Sequence, residues 1–234
     1  MATFVLVHGA WGGAHGFRHI RRLLSAEGHE VFTPSLTGVG ERIHLSSPLI
    51  GLGTHIRDVV NHMLYEDLND IVLVGFSYGG FVVTGALEHI AERVSHLVYL
   101  DAFVPGNGET VASHAGREGR DRIELGRDWL ITGPARDYDD PAEAAWMDAR
   151  RTTHTQGCFT EPVFLAQPLE AFPFTRTYIK ATQSPEEDMG ASAFWRAARH
   201  AQASSAWRYH EIATNHMIAN NRPQQLARIL MDLT

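Results

Sequence analysis

The sequence has few of the features that mark disulfide-rich, secreted or membrane proteins. It has one cysteine, Cys158, so no internal disulfide can form, and a reducing compartment is favoured. No apolar run reaches the ~18 residues that a membrane helix needs. The apolar run Thr3–Val7 is too short for a signal-peptide core and has no positive region before it. We therefore expect a cytoplasmic protein that does not enter a membrane.

Basic clusters are also missing, and the formal net charge is −7. An acidic chain without a basic cluster is a poor candidate for binding nucleic acid or an anionic membrane surface. Apolar residues make up 44% and charged residues 20%, which is the composition of a soluble globular protein. A small molecule is the expected partner, and the oligomeric state is left open, a homodimer included.

Short apolar runs alternate with longer amphipathic segments, which predicts an α/β fold with a mostly parallel sheet and helices on both faces. The predicted strands cover residues 4–7, 30–33, 71–76, 97–100, 177–180 and 207–212. The predicted helices cover residues 17–24, 52–64, 79–90, 191–201 and 223–233. This alternation stops between residues 105 and 173, which we interpret as a cap inserted into a single domain of residues 1–234.

A G-x-S-x-G motif, Gly75-Phe76-Ser77-Tyr78-Gly79, begins where the most apolar predicted strand ends, and a helical pattern follows at once. This strand–turn–helix setting is typical of a nucleophile elbow, in which the serine hydroxyl projects from a strained turn. The motif therefore predicts Ser77 as a nucleophile. The alternative is a tight turn in which Ser77 only caps the helix.

A second glycine-rich turn, His8-Gly9-Ala10-Trp11-Gly12-Gly13, directly follows the first predicted strand. An HG-type turn after an early strand can supply one of the two backbone N–H groups of an oxyanion hole, and the residue after the nucleophile supplies the other. We expect the amides of Ala10 and Tyr78 to fill these roles. The alternative is a strand-to-helix turn that binds no ligand.

The candidate general base is His216, one of fourteen histidines. It lies between the last predicted strand and the last predicted helix, so the serine comes first and the histidine last, the chain order that goes with a nucleophile elbow. His15 and His19 are four residues apart, but no glutamate of a zinc-protease helix lies between them. We therefore predict no metal site and no cofactor.

Several motifs together resemble one group of α/β hydrolases: plant methylesterases of the salicylate-binding type, plant hydroxynitrile lyases, and bacterial esterases such as pyrethroid hydrolases. The resemblance covers nearly the whole chain except the cap. The motifs are FVLVHGAWGG at 4–13, TGVGER at 37–42, GFSYGG at 75–80, LVYLDAFVP at 97–105 and TNHM at 214–217. The resemblance implies a cofactor-free serine carboxylic ester hydrolase that forms an acyl-enzyme.

The resemblance also separates esterase from lyase. The lyases of this group carry a threonine in the HG turn and a lysine directly after the histidine, and these positions are Gly9 and Met217 here. The sequence therefore places no cation to stabilise cyanide, which favours the esterase. A hydroxynitrile lyase, a slow-turnover ligand receptor and a cofactor-free oxygenase on the same fold remain the alternatives.

The acid that should orient His216 is left open, because the position that carries it in relatives is Ser184 here. Asp101, at the end of a predicted strand, is one candidate, and some lipases resemble a layout with the acid one strand earlier. The other candidates are Glu186, Glu187 and Asp188 in the acidic run that follows Ser184.

Aromatic side chains are the candidates for an apolar substrate pocket. They are Trp11 in the HG turn and Trp129, Trp146, Phe159 and Phe164 in the predicted cap. The alternative is that the aromatic residues of the cap only pack it onto the sheet.

Overall fold

The computed structural model describes residues 1–114, 129–185 and 191–234. Within them, six parallel strands form one sheet: β1 (Thr3–Val7), β2 (Glu30–Phe32), β3 (Ile71–Phe76), β4 (Val94–Leu100), β7 (Thr175–Ala181) and β8 (Arg208–Ile212). Their order across the sheet is β2-β1-β3-β4-β7-β8. Parallel strands need crossover connections, and here helices supply most of them.

Helices cover both faces of the sheet, so the predicted α/β architecture is confirmed. The longer helices are α1 (Arg18–Ala26), α2 (Leu52–Tyr65), α3 (Gly79–Ile90), α5 (Pro141–Asp148), α7 (Ala191–Ala203) and α9 (Pro223–Met231). One apolar core joins the sheet to α1 and α9, and the other joins it to α2, α3 and α7. Because both faces of the sheet are covered, β3 is apolar along its whole length, and every residue of it except the last is buried.

The strand β4 is longer than the predicted run of residues 97–100, because it begins at Val94 and includes the polar pair Ser95-His96. The His96 ring bonds across to the Thr177 hydroxyl at 2.8 Å on the neighbouring strand. The Ser95 hydroxyl donates to the carbonyl of Ile71 at 3.0 Å. These cross-strand bonds satisfy the polar groups, so the strand continues where the apolar pattern does not.

Between β4 and β7 the chain leaves the sheet, in the region where the predicted cap lies. Its described residues form helix α5, two shorter helices, a 3₁₀ helix at Leu169–Ala171 and a two-stranded antiparallel ladder. The ladder pairs β5 (Leu130–Ile131) with β6 (His154–Thr155), and the short helices include α4 (Val111–His114) and α6 (Gly157–Thr160). A last short helix, α8 (Ile218–Asn221), precedes α9. No helix in the described ranges is long and apolar enough to cross a membrane.

Candidate active site

Ser77 lies in the turn between β3 and α3, with a backbone φ of 55°. A non-glycine residue at positive φ is strained, and such strain concentrates at functional sites. The flanking glycines allow this turn. A Cβ at Gly75 would lie 2.8 Å from the Gly79 carbonyl oxygen, and one at Gly79 would lie 2.6 Å from the Val7 carbonyl oxygen. The motif therefore forms the expected strand–turn–helix and presses the start of α3 against the end of β1.

A continuous chain of hydrogen bonds links Ser77, His216 and Asp101. The Ser77 hydroxyl lies 3.0 Å from Nε2 of His216, and Nδ1 of the same ring lies 2.7 Å from Oδ2 of Asp101. With Nδ1 protonated and donating to the carboxylate, Nε2 is free to accept the serine proton. The three side chains come from the carboxyl ends of β3, β4 and β8, which meet at one edge of the sheet.

Asp101 is fully buried, and both of its carboxylate oxygens are bonded. Oδ1 accepts from Nζ of Lys180 at 2.7 Å and from the backbone N–H of Ala181 at 3.3 Å. Lys180 is the only lysine in the sequence and is also fully buried. Burial raises the pKa of the Asp101 carboxyl, but the hydrogen bond from His216 and the charge of Lys180 outweigh it. The pKa of Asp101 therefore lies below its usual value, and the group is an anion at neutral pH.

Only one of the candidate acids lies among the described residues. Glu186, Glu187 and Asp188 lie outside the residues that the structure describes. Ser184, where relatives carry the acid, contributes its carbonyl oxygen, which accepts from the Trp195 indole at 3.1 Å. Asp101 alone among the candidates in the described ranges bonds to His216.

His216 is enclosed between two phenyl rings. Its ring stacks on Phe194 with centroids 5.2 Å apart and an angle of 7° between the planes, and it lies 4.7 Å from the ring of Phe76. Burial lowers the pKa of His216, the hydrogen bond to Asp101 raises it, and the charge of Arg136 lowers it. The net effect is a pKa below the usual 6.5, so the imidazole is neutral at pH 7.

The HG turn lies directly against the serine, because a Cβ at Gly9 would approach the Ser77 Cβ to 2.9 Å. Within the part of the chain that the structure describes, neither the Ala10 nor the Tyr78 amide donates to another protein group. His8 holds the turn in place. Its Nδ1 donates to the Gly9 carbonyl at 2.9 Å, and its Nε2 accepts from the Leu36 N–H at 3.1 Å.

A buried polar cluster behind Tyr78, which the sequence analysis did not single out, anchors the residue that follows the serine. Nε2 of His55 donates to the Thr37 carbonyl at 2.8 Å, so its bare Nδ1 accepts from the Tyr78 hydroxyl at 3.0 Å. His154 and Cys158 lie beside it, and their ligating atoms come within 4.8 Å of those of His55. Both ring nitrogens of His55 are engaged in the hydrogen bonds to Thr37 and Tyr78, so His55 has no free lone pair for a metal ion in this arrangement.

A cleft opens beside Ser77, and the space within its lining is about 560 Å³ when the open solvent at its mouth is included. It is mostly apolar, as expected for a small-molecule site. Its lining includes His8, Ala10, Trp11, Phe17, Phe76, Arg136, Tyr138, Met147, Arg151, His216 and Met217.

Of the aromatic residues expected in the pocket, only Trp11 lines this cleft, where its indole N–H donates to the Ile131 carbonyl at 2.9 Å. Trp146 lies outside it, between the guanidinium groups of Arg18 and Arg150. Phe164 is 66% exposed. Trp129 supports the β5–β6 ladder through its carbonyl, which accepts from Gln156 at 2.9 Å, and Phe159 is buried against Trp11 and Tyr78. These four are therefore corrected from pocket residues to surface or packing residues.

Two arginines in the cleft correct a second expectation. The expectation that no cation lies near the serine rested on the position of Met217 alone. Arg136 and Arg151 both line the cleft, as does the phenol of Tyr138. No pattern in the sequence points to them, since they lie far from Ser77 along the chain and outside regular elements.

Comparison with known proteins supports the resemblance seen in the motifs. The model of the alpha/beta hydrolase family matches residues 4–229. A carbendazim hydrolyzing esterase of a Nocardioides species is 52% identical over 111 residues, which are 47% of this chain and 46% of the esterase.

Two plant proteins of Arabidopsis thaliana also match. Methylesterase 1 is 36% identical over 104 residues, or 44% of this chain and 40% of that protein. An alpha-hydroxynitrile lyase is 29% identical over 103 residues, with 44% and 40% covered. The match thus spans about half or less of the length of these curated relatives. The predicted resemblance to the group of methylesterases, lyases and bacterial esterases is confirmed.

Solved structures support the fold along the whole chain. An extracellular alpha/beta-hydrolase from a Paenibacillus species, described as homologous to a tobacco salicylic acid binding protein, has a TM-score of 0.80 at 22% identity. The alignment covers 100% of this chain and 99% of that one. A pyrethroid hydrolase has a TM-score of 0.69 at 19% identity, with 99% and 96% covered.

Proposed function

Because the chain belongs to the alpha/beta hydrolase family, we propose that it is a serine hydrolase that cleaves carboxylic esters through an acyl-enzyme. The observation that carries this proposal is the hydrogen-bonded series Ser77–His216–Asp101, with separations of 3.0 and 2.7 Å. An esterase with 52% identity over part of the chain supports the same reaction class.

In this mechanism, His216 takes the Ser77 proton at Nε2 as the hydroxyl oxygen attacks the ester carbonyl. Asp101 holds Nδ1–H and stabilises the imidazolium that forms. The amides of Ala10 and Tyr78 donate to the oxyanion of the tetrahedral intermediate. His216 then protonates the departing alcohol, and water attacks the acyl-enzyme with the same histidine as base. The residues supply every proton transfer, so the proposal needs no cofactor.

A second candidate is hydroxynitrile cleavage, which the cations Arg136 and Arg151 in the cleft favour because cyanide leaves as an anion. Against it, Gly9 and Met217 occupy the positions where the lyases of the group carry threonine and lysine. Release of cyanide from mandelonitrile by the wild type, without ester turnover, would replace the esterase proposal with this one. A ligand receptor would instead release at most one equivalent of alcohol per chain.

The test is hydrolysis of p-nitrophenyl acetate and p-nitrophenyl butyrate by the wild type and three variants. We expect kcat to fall about 10⁴-fold or more in Ser77→Ala and about 10⁴-fold in Asp101→Asn. Asp188→Asn is the matched control and should keep wild-type activity. Full activity in Ser77→Ala would refute the proposal, and loss in Asp188→Asn with retention in Asp101→Asn would replace the acid.

The pH profile of kcat/KM provides a second test, because His216 must be neutral to accept the serine proton. Its pKa lies below 6.5, so activity should remain full at pH 7 and fall as the pH drops through the lowered value. An acidic limb centred above pH 7 would contradict the assignment of His216 as the base.

A further inference from the structure

The cleft beside Ser77 joins an apolar wall to a strongly cationic corner. Among the residues that the structure describes, its lining contains Arg136 and Arg151 but no aspartate or glutamate. The chain as a whole carries a net charge of −7, so this corner is not a consequence of a general excess of arginine over acidic residues. A cationic corner in an acidic protein concentrates anions locally.

Neither arginine is neutralised by an ion pair within the described ranges. Arg151 donates to the Pro134 carbonyl, which is neutral. Arg136 is half-buried, and burial followed by the charge of Arg151 lowers the pKa of its guanidinium. The carboxylates of Asp101 and Asp137 act on Arg136 from a distance and raise its pKa, but among the described residues neither forms a salt bridge with it, and Asp101 is committed to His216 and Lys180.

Two like charges close together in a partly desolvated cleft are unfavourable unless an anion joins them. A guanidinium presents two parallel N–H donors that match the oxygens of a carboxylate. The Tyr138 hydroxyl lines the same corner and can donate a further hydrogen bond. Trp11, Phe17, Phe76, Met147 and Met217 line the same cleft as the serine and supply its apolar surface.

We propose that the cleft selects esters that carry a second, free carboxylate, with Arg136 and Arg151 binding that carboxylate while Ser77 attacks the ester carbonyl. Hemiesters of aliphatic dicarboxylic acids are the substrate class that fits an anionic end, an apolar spacer and an ester end. The inference rests on the proposed esterase function and adds to it the chemistry of the substrate.

The experiment compares monomethyl adipate with methyl hexanoate, which has the same six-carbon acyl chain without the carboxylate. Proton release in a pH-stat at pH 7.5 gives kcat/KM for both esters. The measured quantity is their ratio, because a change at Ser77 or His216 affects both esters and divides out. For the wild type we expect monomethyl adipate to be favoured at least tenfold.

In Arg136→Met the ratio should fall about ten- to hundredfold, the effect of losing a charge-assisted hydrogen bond. Arg136→Lys should lie between the two, because a lysine keeps the charge but not the paired donors. The matched control is Arg150→Met, since the Arg150 guanidinium lies over Trp146 outside the cleft. That variant should keep the wild-type ratio.

The outcomes separate the inference from the esterase proposal. If the wild type hydrolyses methyl hexanoate as fast as monomethyl adipate, or if Arg136→Met leaves the ratio unchanged, carboxylate selection is refuted and the esterase proposal stands. If neither ester is hydrolysed, calorimetry with Ser77→Ala decides. If Ser77→Ala binds monomethyl adipate and the double variant Ser77→Ala/Arg136→Met does not, the carboxylate site is supported without esterase activity. If Ser77→Ala does not bind monomethyl adipate, the carboxylate site is overturned.

Discussion

The buried pair of Lys180 and Asp101 allows a sharp test of how the site is held together. Nζ and Oδ1 are 2.7 Å apart, and both side chains are fully buried. At an effective dielectric constant of about 20, Coulomb's law gives an attraction of about 6 kcal/mol at this distance. Most of this is offset by the desolvation of both ions, so the net contribution of the pair is far smaller.

Removal of either partner alone leaves the other charge buried without its counter-ion. We therefore expect Lys180→Met and Asp101→Asn each to lower the free energy of unfolding by about 3–5 kcal/mol. The double variant removes both charges, so its loss should be smaller than the sum of the two by at least about 2 kcal/mol. Lys180 also donates to the Ala181 carbonyl at 2.6 Å, and this hydrogen bond is lost both in Lys180→Met and in the double variant.

Urea unfolding, monitored by the fluorescence of the five tryptophans, gives the free energy of unfolding of the wild type, the two single variants and the double variant. The coupling energy comes from the four free energies of unfolding at pH 7.5. Additive effects of the two substitutions, or a loss below about 1 kcal/mol in Lys180→Met, would refute the view that a charged pair is buried beside His216.

Two further predictions concern stability. Gly80→Ala should lower the free energy of unfolding by about 1–3 kcal/mol, because its Cβ would lie 2.1 Å from the Phe103 carbonyl oxygen. Gly12→Ala, which meets nothing within 4 Å, is the control in the same urea titration, and equal losses in both would contradict the packing argument. Burial lowers the pKa of His8 and of His55 from 6.5 to about 4 in the folded protein. Their contribution to the free energy of unfolding is therefore complete above pH 6.5 and is lost as the pH drops towards 4. At pH 5 each of these two histidines should lower the free energy of unfolding by about 2 kcal/mol relative to pH 8. A urea midpoint that is the same at pH 5 and pH 8 would show that the histidines are not held neutral.

The sheet and its helices could be predicted because apolar periodicity records burial directly. Residues 71–76 and 79–90 have the same bounds in the predicted and the observed elements. The bounds of β4 were missed because Ser95 and His96 find partners on other strands, which a one-dimensional pattern cannot express.

In the candidate site, the elbow around Ser77 could be predicted because its motif is contiguous in the sequence. The acid could be predicted only as a choice between Asp101 and residues 186–188, because Asp101 reaches His216 through the packing of strands that are distant in sequence. Arg136 is an even clearer case, since it reaches the cleft from an irregular segment where no periodicity applies. Trp146 was misplaced because aromatic character does not distinguish a ligand contact from stacking against Arg18.

The central claim is that Ser77 becomes covalently acylated, and a phosphonate ester that traps serine nucleophiles tests it most directly. Intact mass spectrometry after incubation should show one adduct per chain, with peptide mapping that places it on Ser77 and none formed in Ser77→Ala. An adduct on another residue, or continued ester hydrolysis by a protein that takes up no adduct, would contradict the account.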